Sequence, residues 1–324
     1  MKVLIIKVSS MGDIIHTLPA ITDASVSVPK ISFNWVVEET FSEILRWHPA
    51  IHQIIPINLR FWIKNWYDTS SWKKYYECIQ ELKKKEYDVI IDAQGLLKTS
   101  LLITCSSRGE KHGMDYISTR EPISSLFYHK RHYVNKSQHA VERIRQLFSL
   151  SLKYPVPSCI GKYNIEHLFP PQKNNVPYLI FFHATTKIKK HWPELNWSVI
   201  ARCAINAGYH IKLPFWTKSE ESRINRLVKL SYNQIIVLPK LTLQEIAMQI
   251  SGATAIISVD TGLSHLAAAL SCPNLTLYGP TNPELIGTYG QNQIILYSST
   301  KKMEHLNPMY VWEVFQKVLA LTSI

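Results

Sequence analysis

The sequence predicts an α/β protein made of two doubly wound, parallel-sheet domains. Its 324 residues match two domains of roughly 150 residues, each able to bury a full core. Apolar, β-rich runs alternate with helical patterns along most of the chain, as repeated βαβ units require. Two similar strand-to-helix junctions stand in separate halves. Lys2-Val3-Leu4-Ile5-Ile6-Lys7-Val8 runs into Ser9-Ser10-Met11-Gly12-Asp13, and Ala255 to Val259 runs into Asp260-Thr261-Gly262-Leu263-Ser264-His265. A helix start leaves backbone N–H groups free to hold an anion. The pair therefore implies a cleft between two domains, with a nucleotide-diphosphate pocket in the second.

In the first half the apolar runs place strands at 2–8, 31–37, 52–57 and 87–92, and the helical patterns fall at 14–25, 39–47, 72–85, 96–106 and 138–151. The second half repeats the scheme, with strands at 178–183, 209–214, 234–238, 254–259, 274–278 and 293–297 and helices at 194–207, 219–230, 242–251 and 263–270. Trp192-Pro193-Glu194 reads as a helix entrance, because proline suits the first turn. Tyr154-Pro155-Val156-Pro157 and Pro170-Pro171-Gln172-Lys173-Asn174-Asn175 bracket a stretch with little periodicity. That sets a first domain at 1–160, a linker at 161–176 and a second domain at 177–324. A last helix at 308–322 has no later element to pack against and is free to cross back to the first domain.

Composition narrows the function. No apolar run reaches the roughly 18 residues of a spanning helix, and the first strand is too short and too soon interrupted by charge for a signal peptide. A cytoplasmic protein is expected. Cys78, Cys105, Cys159, Cys203 and Cys272 lie far apart with no C-x-x-C pair, which argues for ordinary buried thiols and against zinc or a disulfide framework. A formal charge of +12 points to an acidic partner: a nucleotide, a nucleic acid or an anionic membrane face. Gly12 stands alone at the first turn, without G-x-G-x-x-G, which speaks against a dinucleotide dehydrogenase; P-loop, G-x-S-x-G and H-E-x-x-H patterns are missing as well. Without an Asp-x-Asp to carry a metal to a sugar nucleotide, the expected reaction is metal-independent and needs no cofactor.

Four clusters carry candidate chemistry. Asp13 lies at the carboxyl edge of the first sheet, where ligands of such folds bind; it reads either as an N-cap or as a general base, a weak one suited to late proton removal. His183-Ala184-Thr185-Thr186, followed by Lys187-Ile188-Lys189-Lys190-His191, offers hydroxyls and lysines to a diphosphate, or is a solvated basic loop. Asp260, Thr261 and Gly262 combine cap, hydroxyl and close-approach glycine, while His265 alone reads as a half-buried histidine. Finally, Arg60-Phe61-Trp62-Ile63-Lys64-Asn65-Trp66-Tyr67 and Trp72-Lys73-Lys74-Tyr75-Tyr76 interleave aromatics with cations. That pattern suits a membrane interface, single-stranded nucleic acid, or a core stripe with snorkelling lysines.

The string Lys7-Val8-Ser9-Ser10-Met11-Gly12-Asp13-Ile14-Ile15-His16-Thr17-Leu18-Pro19-Ala20, with Ser258 to His265 and Leu277-Tyr278-Gly279-Pro280-Thr281, resembles the lipopolysaccharide heptosyltransferases, the ADP-heptose:LPS heptosyltransferase family. Asp92-Ala93-Gln94-Gly95-Leu96, Lys111 to Asp115, Arg120-Glu121-Pro122 and Gln138 to Arg143 extend the likeness over essentially the whole chain. The Ser-Ser-Met-Gly-Asp form is similar to the type I enzymes rather than type II. The resemblance implies a GT-B fold, two Rossmann-like domains facing a central cleft, and an inverting transfer of L-glycero-D-manno-heptose from ADP-heptose to the Kdo of Kdo-lipid A. It implies catalytic roles for Asp13 as base and Lys190 at the donor phosphates. Donor-binding roles fall on Thr185, Thr186, Lys190, Lys218, Leu241, Asp260, Thr261, Gly262, Leu263 and His265, and acceptor-binding roles on Ser10, Arg60, Lys64 and Arg120. It further implies a peripheral enzyme on the cytoplasmic side of the inner membrane, with no nucleic-acid partner.

One segment departs from the family. After Leu213-Pro214 the family usually has a glycine and then a glutamate that contacts the donor ribose; here Trp216 and Lys218 take those places. The exchange removes a hydrogen-bond acceptor, an expected loss of about 1–3 kcal/mol in donor affinity, unless Lys218 reaches a phosphate. Glu220 or Glu221 replaces the contact only if the loop shifts. A different nucleotide-sugar donor, and a basic nucleic-acid-binding protein, stay open as alternatives.

Overall fold

The computed structural model describes residues 1–65, 67–171, 176–231 and 234–320, Ser70 by its backbone alone. Trp66 of the aromatic cluster, residues 172–175 of the expected linker and positions 321–322 of the expected last helix lie outside them. The chain divides into two compact units, Met1–Asn164 and Ile165–Ile324.

Six parallel strands build the first unit: β1 (Lys2–Ile6), β2 (Ser32–Glu38), β3 (Ile51–Ile57), β4 (Glu86–Asp92), β5 (Arg108–Met114) and β6 (Lys130–His132), in the order β3-β2-β1-β4-β5-β6. Its helices are α1 (Met11–Ile15), α2 (Leu18–Ser27), α3 (Ser42–Arg46), α4 (Leu59–Lys64), α5 (Thr69–Lys84), α6 (Leu97–Thr99) and α7 (Ala140–Leu152). The second unit has β7 (Tyr178–Phe182), β8 (His210–Leu213), β9 (Ile235–Val237), β10 (Ala255–Val259), β11 (Asn274–Tyr278) and β12 (Gln293–Tyr297), ordered β12-β11-β10-β7-β8-β9. Around them lie α8 (Glu194–Asn206), α9 (Lys218–Leu230), α10 (Leu243–Gly252), α11 (Gly262–Ala269), α12 (Pro283–Ile286) and α13 (Pro308–Ala320).

Counted from its own first strand, each sheet runs 3-2-1-4-5-6, the doubly wound order the alternation of patterns predicts. In such a sheet the connections leave in opposite directions at the central pair, here β1/β4 and β7/β10, and a crevice opens beyond their carboxyl ends. Central strands read as unbroken apolar runs because both faces are covered: β7, β10 and β11 are buried along their whole length.

Three expectations change. The helix expected at 14–25 is two, because Pro19 has no N–H for an α-helical ladder and its ring would clash with the turn before it; α2 instead takes Pro19 into its first turn. β5 and β6 were not expected, since Arg108–Met114 and Lys130–His132 carry no apolar run; ladder pairing to β4 and β5 in turn, rather than propensity, makes them strands. Of the cysteines expected to be buried, Cys105 and Cys159 are exposed and Cys272 is buried. The last helix buries Val311, Trp312, Val314, Phe315 and Val318 in the second unit's core, beside Trp192, Trp197, Leu275 and Leu277.

Candidate active site

In the first unit the predicted residues gather at the carboxyl edge of the sheet. β1 ends at Ile6, and Lys7 is drawn under the following loop, its Nζ donating to the Ala93 carbonyl at 2.8 Å beyond the neighbouring β4. Ser10 is the N-cap of α1, and Asp13 is the third helical residue rather than the cap. Its carboxylate reaches back instead: Oδ2 accepts the Ser10 N–H at 2.8 Å and the Ser10 hydroxyl at 2.9 Å. Both bonds fall on one oxygen, and Oδ1 carries none of the described hydrogen bonds. Burial, the largest single influence on Asp13, raises its pKa, but the Lys7 ammonium, the two Ser10 donors and the Arg120 charge together outweigh it, so the pKa lies below the ordinary value. For Lys7 burial wins, and its pKa is lowered despite Asp13 and Asp92.

Arg120, exposed on the segment after β5, acts on both Asp13 and Lys7. Arg60 and Lys64 belong to α4, after β3, and are exposed. The backbone N–H of Arg60 donates at 3.1 Å to Glu38 at the end of β2. Burial raises the Glu38 pKa, only partly countered by that bond and by the charges of Arg60 and Lys98.

The floor of this edge was not anticipated. Asp92, at the end of β4 and 1% exposed, accepts four hydrogen bonds: Oδ1 from the Gln94 and Gly95 N–H groups at 3.0 Å each, Oδ2 from Ser100 at 3.0 Å and Thr104 at 2.8 Å. Gly95 takes φ +62°, and a Cβ there would meet the Thr119 hydroxyl oxygen at 2.5 Å, so only glycine fits. The available signals were a lysine closing an apolar strand and an Asp-Ala-Gln-Gly turn closing another.

In the second unit Lys190 and Asp260 meet directly, Nζ to Oδ2 at 2.5 Å, with side chains 17% and 8% exposed. Asp260 follows β10 and Lys190 closes a 3-10 turn, Ile188–Lys190, on the loop leaving β7, so the pair bridges the switch point of this sheet. Thr261 caps α11, whose first residues Gly262 and Leu263 are partly exposed, while His265 is buried rather than half-buried. A helix start of this kind offers free N–H groups to an anion.

Thr185 and Thr186 lie on the same loop as Lys190. His191 clips that loop: its Nε2 is 2.7 Å from the Thr185 carbonyl oxygen and its Nδ1 is 3.4 Å from an Arg223 Nη1. The Thr185 N–H lies 3.3 Å from the same Nε2. His183, on the same loop, is buried, and neither ring nitrogen makes a hydrogen bond of good geometry, the Pro214 backbone being only a weak partner. Burial foremost, then the Arg223 and His191 charges, push its pKa down to about 3, so it is neutral.

Leu241 and Trp216 are brought together, the indole N–H donating to the Leu241 carbonyl at 2.9 Å. Lys218 opens α9 with an exposed side chain, and no described contact ties it to the Lys190–Asp260 pair. Glu220 caps α9 through one oxygen: its Oε2 accepts the Trp216 N–H at 2.7 Å and the Thr217 N–H at 3.2 Å. Among the described residues no group of three or more His, Cys, Asp or Glu is placed to hold a metal ion, and no helix is long and apolar enough to cross a membrane.

The model of glycosyltransferase family 9 (heptosyltransferase) matches residues 75–310. Lipopolysaccharide heptosyltransferase 1 of Salmonella typhimurium is 46% identical over 314 residues, which cover 96% of this chain and 99% of that protein. The solved structure of E. coli heptosyltransferase WaaC with ADP superposes with a TM-score of 0.93 at 44% identity, covering 98% of this chain and 100% of that one. The same enzyme with ADP-2-deoxy-2-fluoro heptose gives a TM-score of 0.90 at 43% identity, over 98% and 99% of the two chains.

Proposed function

The chain belongs to glycosyltransferase family 9 and transfers heptose in lipopolysaccharide inner-core synthesis; from that premise we propose that it moves L-glycero-D-manno-heptose from ADP-heptose to the Kdo of Kdo-lipid A, inverting the anomeric carbon. Asp13 removes the proton of the attacking Kdo hydroxyl while the acceptor oxygen displaces ADP. Arg120, Arg60 and Lys64 draw in the anionic acceptor, and Ser10 steadies the base. Lys190, the hydroxyls of Thr185 and Thr186, and the N–H groups of Thr261, Gly262 and Leu263 hold the diphosphate; Asp260 orients the Lys190 ammonium, and His265 backs the α11 turn. Leu241 meets the nucleoside side of the donor. Lys218, a cation, meets the negatively charged phosphate in preference to a neutral ribose hydroxyl.

The observation that carries this reading is the Asp13 carboxylate: half-buried at the sheet's switch point, anchored through one oxygen, and held ionised by Lys7 and Ser10. The test is a product assay with purified protein. ADP should be released only when ADP-heptose and a Kdo-bearing lipid are both present, and the product should carry the inverted linkage. Equal turnover with UDP-sugars or other ADP-sugars would replace the donor assignment.

Because its acceptor is lipid-linked, the enzyme works as a peripheral protein on the cytoplasmic face of the inner membrane. Supporting this, Phe61, Ile63, Tyr67, Trp72 and Tyr76 are 43–73% exposed on α4, α5 and their connection, among the exposed Arg60, Lys64, Lys73 and Lys74. Phe61, Trp62 and Lys74 line one recess of about 310 Å³. Rings at headgroup depth with cations toward anionic lipid is the pattern of an interfacial surface. Vesicles containing phosphatidylglycerol should co-sediment the protein, neutral phosphatidylcholine vesicles should not, and Trp72→Ser/Tyr76→Ser should weaken binding at least several-fold. Retention of single-stranded nucleic acid with no vesicle binding would reverse this assignment.

A further inference from the structure

We propose that Gln94 is a positioning residue for proton transfer, its side-chain oxygen holding the loop that presents Asp13. The inference rests on Asp13 being the base. Three successive backbone N–H groups between β1 and α1 are claimed by side chains: Val8 and Ser9 donate to Gln94 Oε1 at 2.9 and 3.2 Å, and Ser10 donates to Asp13 Oδ2 at 2.8 Å. One buried oxygen atom therefore sets the two peptides immediately before the residue on which the base is anchored.

Gln94 is itself fixed. It is 5% exposed, and its N–H is tied to Asp92, whose four hydrogen bonds fasten the end of β4 to Ser100, Thr104 and Gly95. The Gly95 carbonyl then accepts the Glu121 N–H at 3.1 Å, next to Arg120. Lys7, bonded to the Ala93 carbonyl, is a second strap between the same two loops. Several mutually supporting hydrogen bonds between buried groups hold this frame, and it reaches the base through Gln94.

The charge of the residue matters as much as its reach. The charged groups acting on this corner are Lys7 after β1, Asp13 on α1, Asp92 at the end of β4, Arg120 after β5 and Arg143 on α7. A carboxylate at position 94 would accept the same two N–H bonds but add a negative charge facing Lys7 and Asp13. That would disfavour ionised Asp13. A neutral acceptor keeps the loop closed without competing for the Lys7 charge.

The experiment compares Gln94→Met, Gln94→Glu and Asp13→Asn as full-length proteins, with ADP-heptose and a Kdo acceptor, across pH. Gln94→Met, which fills the space but leaves two N–H groups unpaired, should lower kcat by up to about a hundredfold with the ADP-heptose KM within about twofold of wild type. Gln94→Glu should keep most of the neutral-pH kcat while the acid limb of its pH profile moves upward. Wild-type kcat in Gln94→Met, or an unmoved acid limb in Gln94→Glu, overturns the inference; the second readout stands if Gln94→Met does not fold. If Asp13→Asn is inactive while both Gln94 variants behave as wild type, only the Gln94 role falls. If Asp13→Asn is active, the base assignment falls and takes this role with it.

Discussion

Replacing Asp13 by Asn should lower kcat by about 10²–10⁴, the usual contribution of a positioned acid or base, which corresponds to about 3–5 kcal/mol at the transition state. The ADP-heptose KM should hardly change, because the residues proposed for the donor all lie in the second unit's sequence. Asparagine keeps the shape and an oxygen that accepts the Ser10 N–H, so α1 and its loop remain. What is lost is the negative charge and, with it, the ability to take a proton. Wild-type turnover in this variant would remove Asp13 from the chemistry.

The same carboxylate sets a pH signature. Its pKa is lowered, with Lys7 the foremost of the influences that overcome burial. Activity that needs the ionised form should persist as pH falls through the ordinary aspartate range, near 3.9, and fail below it. Lys7→Met removes the cation with the largest lowering influence on Asp13 and should move the acid limb upward. The stability contribution has the same sign: a depressed folded-state pKa stabilises the fold above the unfolded value, and that stabilisation is lost as pH falls through the folded value. A Lys7→Met acid limb that coincides with wild type would mean that the lysine serves only the Ala93 carbonyl.

How far the sequence could lead depended on what each residue's neighbours had to supply. β1, β7 and β10 were legible because an unbroken apolar run is what a doubly covered parallel strand must be. β5 was not, since Arg108–Met114 is a strand only through its ladder to β4. Among site residues, Asp13, Lys190 and Asp260 were found because charge beside a strand end is visible in one dimension. Their local roles were less so: Asp13 was open to reading as a cap, whereas Ser10 takes that place and Asp13 reaches back to it. Gln94 and His191 act by holding backbone across tens of residues of sequence or through a partner such as Arg223, and uncharged polar residues give no pattern for that. The capping role of Glu220 was legible by a local rule, because Thr217 followed three residues later by glutamate is a capping box, and the structure forms it through one carboxylate oxygen.

Lys190→Met should be the most damaging change in the second unit, for two separable reasons. The ammonium is proposed to neutralise charge growing on the departing ADP, and losing one such donor costs about 10²–10³ in kcat. The second effect falls on binding. Asp260 is 8% exposed and bonded to this ammonium; without it, a buried carboxylate would stand unpaired where a diphosphate is expected, and unpaired buried charge is strongly unfavourable. ADP affinity should therefore fall by more than one lost contact implies. The double variant Lys190→Met/Asp260→Asn should recover part of the ADP affinity lost in the single variant while staying as slow in turnover, since neutralising Asp260 relieves the repulsion without replacing the cation. Calorimetric titration of ADP into wild type, both single variants and the double variant gives the coupling directly. Additive losses would mean that Asp260 and Lys190 meet the donor independently, and undiminished ADP binding in Lys190→Met would place the diphosphate elsewhere.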